Sequence, residues 1–212
     1  MTDELIARLS GDLKPVRRSA MQRLLFGALL VSVAIAATAM LAVLGLRADI
    51  EVATSTTMFW TKFGYTLALS LIGAGATLAL ARPGGIANWP WVAVPALFLA
   101  VLAGAFWQLS QAQPGEMMTL VVGSTSLVCP WRIVGLALPV LTGVLLVMRR
   151  FAPTNPTLAG LAAGLLSGGI GAWVYSFACG ENGMMFLAIW YSLGIAIVAA
   201  LGAVLGRYLL RW

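Results

Sequence analysis

Histidine is missing from this 212-residue chain, and acidic and basic residues together make up only 9% of it. Without histidine there is no bis-imidazole haem ligation, no imidazole general base and little of the usual zinc chemistry. With so few charges and 61% hydrophobic residues, a water-soluble fold could not hide its apolar surface. The chain therefore reads as an all-α membrane protein with no room for a separate soluble domain. Cysteine is scarce as well, with only Cys129 and Cys179. They form no Cys-x-x-Cys pair, which argues against a thiol oxidase working through two communicating pairs. No ionisable residue is expected in the middle of any span, where ion-coupled transporters, proton pumps and membrane proteases usually need one. The enzyme reading is weak, and no cofactor is called for. Broken helices can still coordinate through backbone carbonyls, so a small transporter or channel stays open as the competing class.

What is present is a series of six apolar stretches, each near the roughly 20 residues that cross a bilayer as a helix. They run over Leu24–Leu46, Phe63–Ala81, Trp91–Leu109, Pro130–Met148, Thr157–Ala178 and Met184–Leu205. The breaks have physical causes. Arg47, Asp49 and Glu51 end the first, and Arg82-Pro83-Gly84-Gly85 cannot continue a helix. This divides the chain into an N-terminal segment (1–23), a six-helix domain (24–206) and a short tail (207–212). The first 20 residues lack the apolar core of a cleavable signal, so the first span is expected to act as the insertion signal.

Orientation follows from Lys and Arg. Arg8, Lys14, Arg17, Arg18, Arg23, Arg82, Arg149, Arg150, Arg207 and Arg211 fall in the N-terminal segment, second loop, fourth loop and C-terminus. The first, third and fifth loops are expected to hold only Arg47, Lys62 and Arg132. Both termini are therefore predicted to be cytoplasmic in a bacterial inner membrane. The formal charge of +6 fits span ends and lipid head groups, and no direct nucleic-acid contact is expected. Trp60, Trp89, Trp91, Trp107, Trp131 and Trp212 fall near span ends, as interfacial anchors do.

In this topology Cys129 and Cys179 lie on the outer, oxidising side. Each is 25 residues from Thr154, so two helices folded at the Arg149–Pro156 loop would deliver both thiols to one height. The pair admits a structural disulfide, a redox- or metal-responsive switch, or a catalytic disulfide exchanger. Two thiolates without histidine suit a soft metal ion, with Glu116 and Glu181 as further oxygen donors. The fifth span has small residues at every fourth position, Gly160, Gly164, Gly168, Ala172 and Ser176, a stripe for close helix packing that could also join two copies as a homodimer. Gly194, Gly202 and Gly206 fall in similar register on the sixth.

The N-terminal segment places Leu5, Ile6, Leu9 and Leu13 on one face of a short amphipathic helix that starts at Asp3-Glu4 and ends at Lys14-Pro15. Such a helix either lies on the bilayer or docks in a partner's groove.

The run Asp3-Glu4-Leu5-Ile6-Ala7-Arg8-Leu9 with Asp12-Leu13-Lys14-Pro15-Val16 resembles a known pattern. So do Gly45-Leu46-Arg47-Ala48-Asp49, Arg149-Arg150-Phe151-Ala152-Pro153, Cys179 with Glu181, and Phe186-Leu187-Ala188-Ile189-Trp190-Tyr191-Ser192-Leu193-Gly194. Together they resemble the NrsF-type (negative regulator of sigma F) bacterial inner-membrane anti-sigma factors. The resemblance implies a six-span protein that sequesters an extracytoplasmic-function (ECF) sigma factor. It also implies two periplasmic cysteines, here Cys129 and Cys179, that release the sigma factor under heavy-metal or oxidative stress. The segment that would hold the sigma factor carries Leu5, Ile6, Leu9 and Leu13 as apolar anchors, with Arg8, Arg17 and Arg18 as charged partners.

Overall fold

A computed structural model describes residues 20–113 and 115–211. The expected amphipathic helix, with Leu5, Ile6, Arg8, Leu9, Leu13, Arg17 and Arg18, lies outside the described residues, as does Trp212. Six helices are long and apolar enough to span a membrane. They are α1 (Ala20–Val43), α3 (Thr57–Leu80), α4 (Pro90–Gln111), α6 (Cys129–Met148), α7 (Pro156–Ser176) and α8 (Met184–Leu209). Two short helices, α2 (Ile50–Ala53) and α5 (Met117–Val122), lie between them, and there is no strand among the described residues. The protein is a multi-pass, all-helical membrane protein.

Local chemistry sets the helix ends. Thr56 is extended and its hydroxyl accepts the Phe59 N–H at 3.4 Å, starting α3 six residues ahead of the expected Phe63. Asn155 does the same for Leu158 at 3.0 Å, and Pro156 follows at the first helical position, where its missing N–H costs nothing. Gly45, at φ 72°, closes α1 by donating to the Met40 carbonyl.

Helix α7 is the centre of the bundle, packed against α8, α3 and α6, while α1 lies on α6. Its five glycines make this possible. A Cβ on Gly160 would lie 2.8 Å from Gly206 Cα, on Gly164 2.6 Å from Ala199 Cα and on Gly168 3.1 Å from Ile195 Cα. The stripe expected for helix packing is thus filled by α8 of the same chain. Gly169 faces α3, where a Cβ would sit 2.8 Å from Ser70 N, and Gly171 faces α6, 2.8 Å from Ala137 Cβ. Helix α4 lies at the edge against α3 and the start of α8. A cavity of about 380 Å³ separates it from the core, lined by apolar side chains such as Leu69, Phe98 and Leu165. The Tyr65 and Ser192 hydroxyls, 2.7 Å apart, supply its polar edge. Trp60, Trp89, Trp91, Trp107 and Trp131 are exposed near helix ends.

The bundle has two distinct ends. One carries Ala20, the α3–α4 and α6–α7 loops and Leu209, and the loops are joined by the Gly84 N–H donating to the Thr154 hydroxyl at 2.7 Å. The other carries the α1–α3, α4–α6 and α7–α8 connections and both cysteines.

Candidate thiol site

Cys129 is the first residue of α6, its N–H bonded to the Thr125 carbonyl at 2.8 Å. Cys179 follows the end of α7, its N–H bonded to the Tyr175 carbonyl at 3.1 Å. The equal chain distances from Thr154 do deliver both to one end of the bundle, where they join the same buried cluster and lie within electrostatic reach of each other. Both are free thiols, 0% and 2% exposed.

The segment from Cys179 to Met184 is bound from three sides. Arg47, just past α1, donates its N–H to the Phe177 carbonyl at 3.2 Å and its Nη1 to the Cys179 carbonyl at 3.3 Å. Asp49 holds the same guanidinium by two 2.7 Å hydrogen bonds. That pairing raises the arginine above its ordinary value and lowers the Asp49 carboxyl. From α3, Lys62 Nζ donates to the Cys179 carbonyl at 3.4 Å, to Cys179 Sγ at 3.9 Å and to the Glu181 carbonyl. The Tyr191 ring lies 5.9 Å from the same ammonium. From α4, the Gln108 side chain donates to the Asn182 carbonyl at 3.3 Å and accepts from the Met184 N–H at 2.7 Å.

Glu181 carries the connection onward to Cys129. Its Oε1 accepts from the Ser124 N–H and hydroxyl at 2.8 and 2.7 Å and from the Thr125 N–H and hydroxyl at 3.1 and 3.0 Å. Burial pushes this carboxyl up, but the four donors outweigh burial and hold it below the ordinary glutamate value. Gly123, at φ 60°, lets the turn close over it, and a Cβ there would meet Glu181 Cδ at 2.7 Å. Beneath the segment, α8 opens into one π-helical turn, Leu187–Tyr191, a rare geometry that gathers at functional sites. It presents Tyr191 to Tyr175, with ring centroids 5.7 Å apart.

Two expectations change. Lys62, read as a first-loop residue, sits in the second turn of α3 and is 1% exposed. Hydropathy hid this because Thr54–Thr57 look like loop. The flanking Phe59-Trp60 and Phe63 were the available signal, since a lysine among aromatics is placed beside buried surface. Arg132 likewise lies in the first turn of α6 and not in a loop. Glu181, weighed as an oxygen donor for a metal, has Oε1 committed to Ser124 and Thr125. Among the described residues no three His, Cys, Asp or Glu side chains gather to hold a metal ion.

Comparison with known proteins agrees with the resemblance read from the sequence. The family model described as "Negative regulator of sigma F" matches residues 9–212. The chain is 43% identical over 173 residues to the "Probable anti-sigma-F factor NrsF" of Azospira oryzae, covering 82% of this chain and 81% of that one. It is 38% identical over 221 residues to the "Anti-sigma-F factor NrsF" of Caulobacter vibrioides, covering 100% and 99%. No solved structure matches. On a match this long, and on relatives this similar, the chain belongs to the NrsF family, a family of regulators and not of enzymes.

Proposed function

We propose that this protein is an inner-membrane anti-sigma factor. Its cytoplasmic N-terminal segment sequesters an ECF-type sigma factor, and the thiol pair at the opposite, periplasmic end controls release. The anti-sigma role rests on the family and on the names of the two relatives. The sensing role rests on one observation. The chain's two cysteines, 50 positions apart, are enclosed at one end by a hydrogen-bonded assembly that reaches all six long helices or their connections. Oxidation of the thiols, or capture of a soft ion such as cadmium by them, alters that assembly. Helices α7 and α8, in close backbone contact at Gly160, Gly164 and Gly168, carry the change to the terminal end as a shift of packed helices that leaves their backbone hydrogen bonds intact. A switch from almost fully held to almost fully released needs about 5.5 kcal/mol of difference between the thiol states.

The test is transcription from the cognate sigma-dependent promoter, with and without cadmium, chromate or diamide. A Cys129→Ser/Cys179→Ser double variant is expected to repress and no longer respond. Equal responses from both strains would remove the thiols as sensor. Deleting residues 1–18 is expected to abolish repression; persistent repression would remove the N-terminal segment as the sigma-binding element.

A further inference from the structure

The geometry points to Lys62 as the positioning residue of the thiol pair. It is the latch that holds the Cys179–Glu181 segment closed, and chemistry at the Cys179 sulfur opens it. The inference deepens the sensor reading above and rests on it.

An ammonium group with 1% exposure is stable only where its donors find acceptors. All three protein acceptors of Lys62 Nζ lie on one short stretch of chain: the Cys179 carbonyl, the Cys179 sulfur and the Glu181 carbonyl. The position of that stretch is therefore fixed by α3 from below. Arg47, a second cation at the site, grips the same Cys179 carbonyl at 3.3 Å and is not hydrogen-bonded to the sulfur. Among the described residues, Lys62 is the one whose hydrogen bonds reach both the Cys179 sulfur and the carbonyls of the segment that must move.

The same stretch reaches the second thiol. Glu181 side-chain Oε1 holds Ser124 and Thr125, and the Thr125 carbonyl accepts the Cys129 N–H. Lys62, Glu181 and Thr125 are thus consecutive links from α3, through the Cys179 segment, to the start of α6. Cys179 is 2% exposed, so an adduct there does not extend into solvent while the segment is closed. It also removes the sulfur as a partner for Nζ. Both effects act on one residue's donors, so the opening runs through Lys62.

The experiment uses the full-length chain in lipid nanodiscs, in a Cys129→Ser background so that one thiol reacts. The probe is methyl methanethiosulfonate. The Cys179 thiolate attacks its sulfenyl sulfur, a new S–S bond replaces the S–SO₂ bond, methanesulfinate leaves with the electron pair, and the thiol proton passes to water. Hydrogen exchange of peptides spanning 178–183 and 123–126 is followed by mass spectrometry. Modification is expected to speed exchange in both peptides by at least about tenfold, the size of effect that follows loss of one buried charge-assisted hydrogen bond. Peptides at the terminal end, 149–156, are expected to stay unchanged.

Lys62→Met is expected to give the open exchange pattern before modification, and modification is then expected to add little. Lys62→Arg, which keeps donors and charge, is expected to restore protection and the response. A generally loosened bundle would raise exchange at 149–156 too and would not be rescued by arginine. Modification that leaves 178–183 protected in the Cys129→Ser protein overturns the proposal, whatever Lys62→Met does. An equal response in Lys62→Met and Lys62 proteins overturns it as well. The readout is local opening and not transcription, so failure of sigma-factor binding and failure of the latch are separate results.

Discussion

Glu181→Gln removes one charge and almost no volume, which makes it a clean probe of the assembly around the thiols. In the structure one carboxylate oxygen accepts four hydrogen bonds, two from backbone N–H groups and two from hydroxyls, at 2.7 to 3.1 Å. Hydrogen bonds to a charged group contribute about 1.5–3 kcal/mol each, against about 0.5–1.5 for neutral pairs. The change is therefore about 1 kcal/mol per bond, and four bonds sharing one oxygen do not add fully. A net loss of about 2–3 kcal/mol for opening the turn is expected, or roughly 30- to 150-fold faster exchange in the local-opening regime. The Ser124 and Thr125 amides are themselves two of the four donors, so hydrogen exchange reads the broken bonds directly. Amides in the middle of α6, from Ala137 to Val144, are expected to keep their protection. A rise below about threefold at Ser124 and Thr125, worth less than 1 kcal/mol, would refute the reasoning. A rise of equal size throughout α6 would do the same, because it would mean global loosening and not a released turn.

The same carboxyl sets a dependence on acidity. Its folded value lies below the ordinary 4.5, so its contribution is fully present above that value and is lost as pH falls through the lower folded value. Protection of Ser124 and Thr125, corrected for intrinsic exchange, is expected to be flat from neutral pH to about 5 and to fall below it; Glu181→Gln is expected to abolish the slope. Gly123→Ala puts a Cβ at φ 60° and 2.7 Å from Glu181 Cδ, and is expected to cost about 1–2 kcal/mol for the backbone alone, seen as the same local exchange increase. Gly164→Leu drives a side chain into the α8 backbone at Ala199 and is expected to destabilise by about 1–3 kcal/mol or more, measured as a lower thermal midpoint in detergent. Asn155→Ala removes the cap on Leu158 N and is expected to cost about 1 kcal/mol by the same measurement.

Much of the fold was legible because a bilayer imposes its own length on apolar runs. The six spans, the interfacial tryptophans and the common height of Cys129 and Cys179 all follow from hydropathy and the helix rise. The stripe at Gly160, Gly164 and Gly168 was legible as a packing surface, since small residues at every fourth position can only make one smooth face. Its partner was not, because the same face suits a second copy as well as α8. The links that close the thiol site were least legible. Lys62 was assigned to a loop because hydropathy averages over a window and cannot show that a single cation is buried between Tyr191 and the Cys179 segment. Glu181 reaches Ser124 and Thr125 across more than 50 positions, and the π turn at Leu187–Tyr191 carries no proline or glycine to mark it in the sequence.

The central place of α7 also bears on how the protein enters the membrane. Five glycines and two serines make it a poor partner for lipid, and it is shielded only because α3, α6 and α8 surround it. During synthesis α7 is made before α8, so its most glycine-rich face has no partner until α8 follows. Stable integration of α7 therefore waits for α8, and the last two spans enter as a helical hairpin. A chain cut in the α7–α8 loop would leave α7 backbone facing hydrocarbon, and the truncated protein is expected to accumulate less than the full chain.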